Sequence, residues 1–212
     1  MITIVAGIMM IILLIWIIGG YVPTMNIHTP AHTVREKRAG YEIREYEPYV
    51  IAETLQKRSG DEASPGGFNE LFRYISGNNV TRSRLDMSAP VLRSADRSGR
   101  KIPMSAPVLK DGAGGTGTIA FVMPPGKRPD ELPLPKSAAV HLREIPARTV
   151  AAVSFTGYAT DAVLGKYTAE LLAALKRDGI VTRSAPLIAL YNPPWTPPFM
   201  RRNEVLVEIV LP

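Results

Sequence analysis

The chain opens on an unbroken apolar run and then changes to short alternating segments. Ile2 to Val22 carries no charge and is dominated by Ile, Met, Leu, Val and Trp. At 1.5 Å per residue, roughly 20 such residues span the ~30 Å hydrocarbon core of a bilayer, and only a helix satisfies its own backbone there. The run predicts a single-pass transmembrane helix over residues 1–22, with Trp16 and Tyr21 at the membrane interface. A cleaved signal peptide is the rival. No basic residue precedes the run, it is longer than a usual signal core, and no A-x-A site follows. Arg35, Lys37 and Arg38 follow the run, so the positive-inside rule puts the main domain on the cytoplasmic side of that membrane. Residues 23–40, with Pro23 and Pro30, read as an extended linker to a domain over residues 41–212.

From Tyr41 onward the period shortens. Tyr41 to Glu47 and Tyr49 to Gln56 are rich in aromatic and β-branched residues and are split at Pro48, which predicts two strands. Ser64 and Pro65 suit a helix cap and first helical position, and Phe68, Leu71, Phe72 and Ile75 follow at helical spacing. Gly77, Asn78 and Asn79 stop that helix. RLDMSAPVLR (Arg84 to Arg93) then recurs as KIPMSAPVLK (Lys101 to Lys110), and the polar residues between them predict a hairpin. Met87 and Met104 take equivalent places in it, as core residues or ligand contacts. Thr118 to Met123, Ala138 to Ile145 and Thr149 to Phe155 read as further strands, with His141 half-exposed on one of them. From Asp161 to Arg177, Leu164, Tyr167, Leu171 and Leu175 share one face of a second helix, and Gly179 closes it. Leu187 to Tyr191 and Glu204 to Leu211 complete the strands. Strand runs interrupted by single helices predict an α+β domain with helices packed on antiparallel sheet.

Composition removes several chemistries. The 212 residues contain no cysteine, which excludes disulfides, thiolate metal sites and cysteine nucleophiles. The formal net charge is +6, and all charged side chains lie at or after Arg35. No basic run or reading motif accompanies that charge, so no nucleic-acid partner is expected. His28 and His32 have the spacing of a helical metal pair, but Pro30 between them argues against a helix. No G-x-S-x-G elbow, phosphate-cradling glycine loop or H-E-x-x-H helix is present, so no enzyme is read from the sequence, and the one catalytic alternative it leaves is a hydrolase using carboxylates such as Glu45, Glu53 and Glu204 as acid or base.

Three stretches carry a family resemblance: YEIREYEPYVIAET, LFRYISGNN with its two MSAPV segments, and YNPPWTPPFMRRNEV. Together, and in order, they resemble the SOUL/heme-binding protein family over about Tyr41 to Val210. The resemblance implies a distorted, mostly antiparallel β-barrel of two similar halves with two flanking helices. It also implies a tetrapyrrole-binding carrier or sensor, here tethered to a membrane, with heme or another tetrapyrrole as ligand. The pocket it implies lies between the first helix (Phe68, Phe72, Arg73) and the loop before the last strand (Trp195, Phe199, Met200, Arg201, Arg202). Aromatic walls suit a flat apolar ligand, and arginines suit its carboxylates. Some members carry a proposed axial histidine in the first strand; here that position is Glu45, so no axial histidine is expected from it. The same barrel resembles the effector-binding domains of some bacterial transcription regulators. The alternative function is therefore a general module for an apolar small molecule or a protein partner.

Overall fold

The computed structural model describes Val5, Gly7, Met9, Met10, Trp16 and residues 29–56, 65–81, 102–103, 105–111, 117–193 and 195–211. Its strands are β1 (His32–Arg38), β2 (Tyr41–Tyr46), β3 (Tyr49–Gln56), β4 (Asn79–Val80), β5 (Val108–Asp111), β6 (Gly117–Val122), β7 (Leu134–Pro135), β8 (His141–Ile145), β9 (Arg148–Phe155), β10 (Val181–Thr182), β11 (Leu187–Leu190) and β12 (Asn203–Val210). Two helices pack on the sheet, α1 (Pro65–Ile75) and α2 (Asp161–Arg177). Both follow from local signals. Thr160 accepts a cap bond from the Val163 amide at 3.4 Å. At the other end of α2, Gly179 has φ +68°, and the Ile180 amide donates to the Leu175 carbonyl at 2.9 Å. Gly77, with φ +110°, ends α1 in the same manner, its neighbour Asn78 donating to the Arg73 carbonyl at 2.9 Å. A positive φ is what glycine adopts without a Cβ clash, so both stops were written into the sequence.

All strand pairings are antiparallel, and the main path runs β1-β2-β9-β12-β11-β5-β6-β3-β8, with β10 added on β12. The expected barrel is corrected here: the sheet is an open, curled half-barrel. A barrel requires its first and last strands to bond to each other. Here β1 and β8 stand at opposite ends of the path. Their sequences, HTVREKR and HLREI, put charges along the edges, as free edges require.

The period of two divides the sheet into two faces. Ile43, Ala151, Val205, Val207 and Ile188 pack under α2. Val50, Ala52, Ile119 and Phe121 pack with Leu71, Tyr74 and Ile75 of α1. Register places both groups on one face, since Ile188 pairs with Lys110 and Lys110 with Ile119. The opposite face gathers Tyr46, Tyr49, Ile51, Leu109, Ala120, Val122, Ile145, Val150, Ala152, Ala189 and Leu206 into one buried cluster. That cluster joins strands near both ends of the path, so the sheet curls around it.

The expected membrane anchor is also corrected. Among the described residues, no helix is long and apolar enough to cross a membrane. The described helical positions before the sheet fall between Val5 and Trp16. Trp16 instead meets the domain, its indole donating to the Trp195 carbonyl at 2.9 Å. The membrane tether, the membrane as a partner, and the single-pass, cytoplasmic-facing placement lose their support together. The rest of residues 1–22 lies outside the described residues, as do His28, the first MSAPV copy with Met87, and Met104. The second copy leads into β5, which pairs with β6 and β11.

Candidate functional site

Between β11 and β12 the sequence YNPPWTPPFMRR leaves the sheet and returns. Its neck is closed by the Tyr191 amide donating to the Arg202 carbonyl at 3.3 Å, and by the Arg202 amide donating to Asn192 Oδ1 at 2.6 Å. Prolines fix φ along the loop, and the bonds they permit are short-range: Thr196 to Pro193 at 3.1 Å, Met200 to Pro197 at 2.9 Å and Arg201 to Pro198 at 3.1 Å. The Gly157 amide donates to the Pro198 carbonyl at 3.0 Å and ties the loop to the turn after β9. Asn203 returns the tie, its Nδ2 donating to the Gly157 carbonyl at 3.0 Å. Thr196 is buried, yet Trp195 is 59% and Phe199 62% exposed, and nearby Tyr158 is 57% exposed. The loop is thus braced from within and presents rings outward. Arg201 lies 4.6 Å from the centre of the Tyr158 ring and donates to the Thr196 carbonyl at 2.8 Å. Met200 is half-buried.

Beneath the neck sits the best-satisfied buried charge in the described chain. Glu204 is fully buried at 0% exposure, on the concave face of β12. Arg44 Nη1 donates to both of its oxygens at 3.0 Å, and Arg202 reaches Oε1 through Nε at 3.1 Å and Nη2 at 2.8 Å. Ser154 Oγ donates to Oε1 at 2.8 Å and the Tyr191 hydroxyl to Oε2 at 2.6 Å. Burial by itself would raise the Glu204 pKa. The Tyr191 bond and the charges of Arg44 and Arg202 outweigh it and hold the carboxyl below its usual value. Burial and the neighbouring Glu204 charge push the Tyr191 phenol upward, so it stays protonated. A carboxylate with this many donors stays ionised at neutral pH. The arrangement positions its arginines and tyrosine; it is not an acid–base pair.

The sequence-predicted residues divide into two groups. Phe68 and Phe72 stack with centroids 6.3 Å apart, and Phe68 meets Phe121 edge-on at 5.2 Å. Both rings are about half-exposed, whereas Leu71 and Ile75 of the same stripe are buried. Arg73 is exposed and lies 3.7 Å from Glu70. Trp195, Phe199, Met200 and Arg201 form the loop, and Arg202 joins the Glu204 cluster. Register relates the groups: Leu190, at the foot of the loop, pairs with Val108, and Val108 with Phe121 beneath Phe68. Two strand spacings, about 10 Å, separate those columns. Glu45 is bonded by Arg35 at 2.6 Å near the surface. No sequence signal marks Arg44, Ser154 and Tyr191, because strand pairing is what brings them to one carboxylate, nor Tyr158, which meets Arg201 through the turn after β9. Among the described residues no group of three or more His, Asp and Glu side chains is placed to hold a metal ion.

A depression of about 250 Å³ lies elsewhere, lined by Glu53, Thr54, Leu55, Thr118, His141 and Arg143. Arg143 closes on Glu53 with two bonds of 2.7 Å there.

Residues 27–208 match the SOUL heme-binding protein family. Mouse heme-binding protein 2 is 28% identical over 169 residues, covering 78% of this chain and 76% of its own length. Heme-binding protein 1 of Xenopus laevis is 26% identical, covering 78% of this chain and 81% of its own. Among solved structures, an EcmrR–DNA complex superposes with a TM-score of 0.51 at 12% identity, over 82% of this chain and 59% of that one. An uncharacterized conserved protein from Listeria innocua gives 0.51 at 10% identity, over 80% and 92%. Identities so low speak to the fold alone. The family match extends over most of the chain and agrees with the three sequence stretches that suggested it: this chain belongs to the SOUL heme-binding protein family.

Proposed function

We propose that the chain binds a tetrapyrrole, seated on the loop between β11 and β12 and walled on its other side by Phe68 and Phe72. The observation that carries this reading is the exposure of Trp195, Phe199 and Tyr158 at a loop whose backbone is braced by several hydrogen bonds. Large exposed rings on a rigid support offer flat apolar area at little ordering cost, which suits a planar apolar ligand. Membership in the family, and relatives named as heme-binding proteins, support the same ligand class. The residues present fit a tetrapyrrole held by ring contacts and arginines. They do not fit ligation through Glu45, which Arg35 occupies. The role is carriage or sensing, since the buried carboxylate is committed to its donors.

Titration of the chain with hemin tests this. A Soret change saturating at one equivalent is expected, with affinity falling about tenfold in Trp195→Ala or Phe199→Ala, the scale of one well-packed aromatic contact. Absence of saturable binding by hemin and by iron-free porphyrin refutes the proposal.

A further inference from the structure

Among the described residues, the large aromatic side chains that stay exposed are Trp16, Phe68, Phe72, Tyr158, Trp195 and Phe199. Phe68 and Phe72 lie on α1. Trp195 and Phe199 belong to the loop between β11 and β12, and Tyr158 follows Gly157 in the turn tied to that loop. Trp16 reaches the same loop from 179 positions away in the chain, its indole donating to the Trp195 carbonyl at 2.9 Å. An indole has one polar atom, the ring N–H, and it can only donate. With that donor engaged, what remains of the Trp16 side chain is flat apolar surface. A single hydrogen bond open to water adds little to folding, so the consequence of this contact lies in where it holds the ring.

A ring held there can either cover the loop or extend it. A cover buries what it covers. With Trp16 in place, Trp195 is still 59%, Phe199 62% and Tyr158 57% exposed, and Trp16 itself is 45% exposed. Trp16 therefore adds apolar area to the loop and leaves the other rings open. Its anchor is a backbone carbonyl, so the Trp195 ring stays free to meet a ligand of its own. Exposed apolar area that gathers at one place marks a binding surface, whereas single exposed rings scattered over a protein do not. The family match spans residues 27–208, and Trp16 precedes it. This ring comes from outside the family domain.

We propose that Trp16 is a further wall of the ligand seat, packing its ring against a tetrapyrrole held on the loop beside Trp195. This deepens the proposed function and rests on it. The binding unit is then the family domain together with a residue of the segment before it, and the indole N–H serves to anchor the ring while its faces meet the ligand.

Two measurements on the full chain test this. The first needs no ligand. The chain has two tryptophans, so Trp195→Phe, which keeps the backbone carbonyl, leaves Trp16 as the only one. Acrylamide should quench it clearly less than in the same variant unfolded in urea, in keeping with a ring 45% exposed. Equal quenching in the two states overturns the placement. The second is hemin titration followed by the Soret band. Trp16→Ala is expected to weaken binding about 5- to 10-fold, the scale of one aromatic contact, and Trp16→Phe, which keeps a ring and loses the N–H, about 2- to 3-fold. Thermal midpoints without ligand should stay within about 1 °C of the unmodified protein. A midpoint that falls along with affinity makes Trp16 a structural residue and overturns the inference. Unchanged affinity in Trp16→Ala overturns it too, as does tighter binding, the result of removing a cover, and both leave tetrapyrrole binding intact. If neither hemin nor iron-free porphyrin binds the unmodified protein, the proposed function fails first and this inference with it.

Discussion

Replacing Glu204 by glutamine removes one negative charge from a fully buried position while keeping the side chain's shape. The consequence falls mainly on Arg44, whose side chain is 4% exposed and whose Nη1 bonds both Glu204 oxygens. Breaking a buried pair by removing one partner costs about 3–5 kcal/mol, because the remaining charge is left uncompensated. Glu42 still lies 2.8 Å from Arg44 Nη2, which argues for the lower end, about 3 kcal/mol. Against a total stability of about 5–15 kcal/mol that is a large fraction. For a domain of this size it corresponds to a fall in Tm of about 6–12 °C. Urea unfolding gives the difference directly, with a midpoint lowered by roughly 1–3 M and an unchanged slope. Removing the stranded cation as well, in Arg44→Met with Glu204→Gln, should recover at least about 1 kcal/mol relative to Glu204→Gln alone. A loss below about 1 kcal/mol in the single variant would refute the reasoning, as would strict additivity of the two substitutions.

The same carboxylate fixes a pH dependence. Glu204, Glu42 and Glu53 all have native pKa values below the ordinary 4.5. The unfolded chain therefore binds more protons in the interval below that value, and stability rises with pH there. Stability should be full above about pH 4.5 and decline as pH falls through the lower native values; urea midpoints from pH 7 to 3 that stay level would contradict this. On α1, Leu71→Ala should cost about 2–5 kcal/mol because Leu71 is wholly buried, whereas Phe72→Ala should cost under about 1 kcal/mol. Thermal unfolding of both variants checks the contrast, and equal losses would make Phe72 a core residue, not a pocket wall.

Local chemistry made much of the fold legible in the sequence. Pattern and caps place β3 and α2 at the bounds the structure shows, because a period of two, a period of 3.6 and a glycine stop act over a few residues each. The same is true of the Gly77 stop. Apolar content alone does not fix a segment's destination. Residues 1–22 have a membrane helix's composition, but composition does not state what a side chain meets, and Trp16 meets the Trp195 carbonyl. Strand β1 lies in the stretch read as linker, since its charges suit an exposed edge and give no alternating signal.

Sequence by itself determined the two helices on the sheet and most of the longer strands from Tyr41 onward, the absence of thiol chemistry and the family, through motifs that stand close together in the chain. Tertiary structure decided that the sheet stays open, because whether end strands pair depends on curl accumulated over the whole sheet. It also decided the partners of Glu204. Arg44 lies 160 positions away from it, and Ser154 50. No spacing rule joins such residues: they meet because β2 pairs with β9 and β9 with β12, and strand register alone sets which side chains share a face.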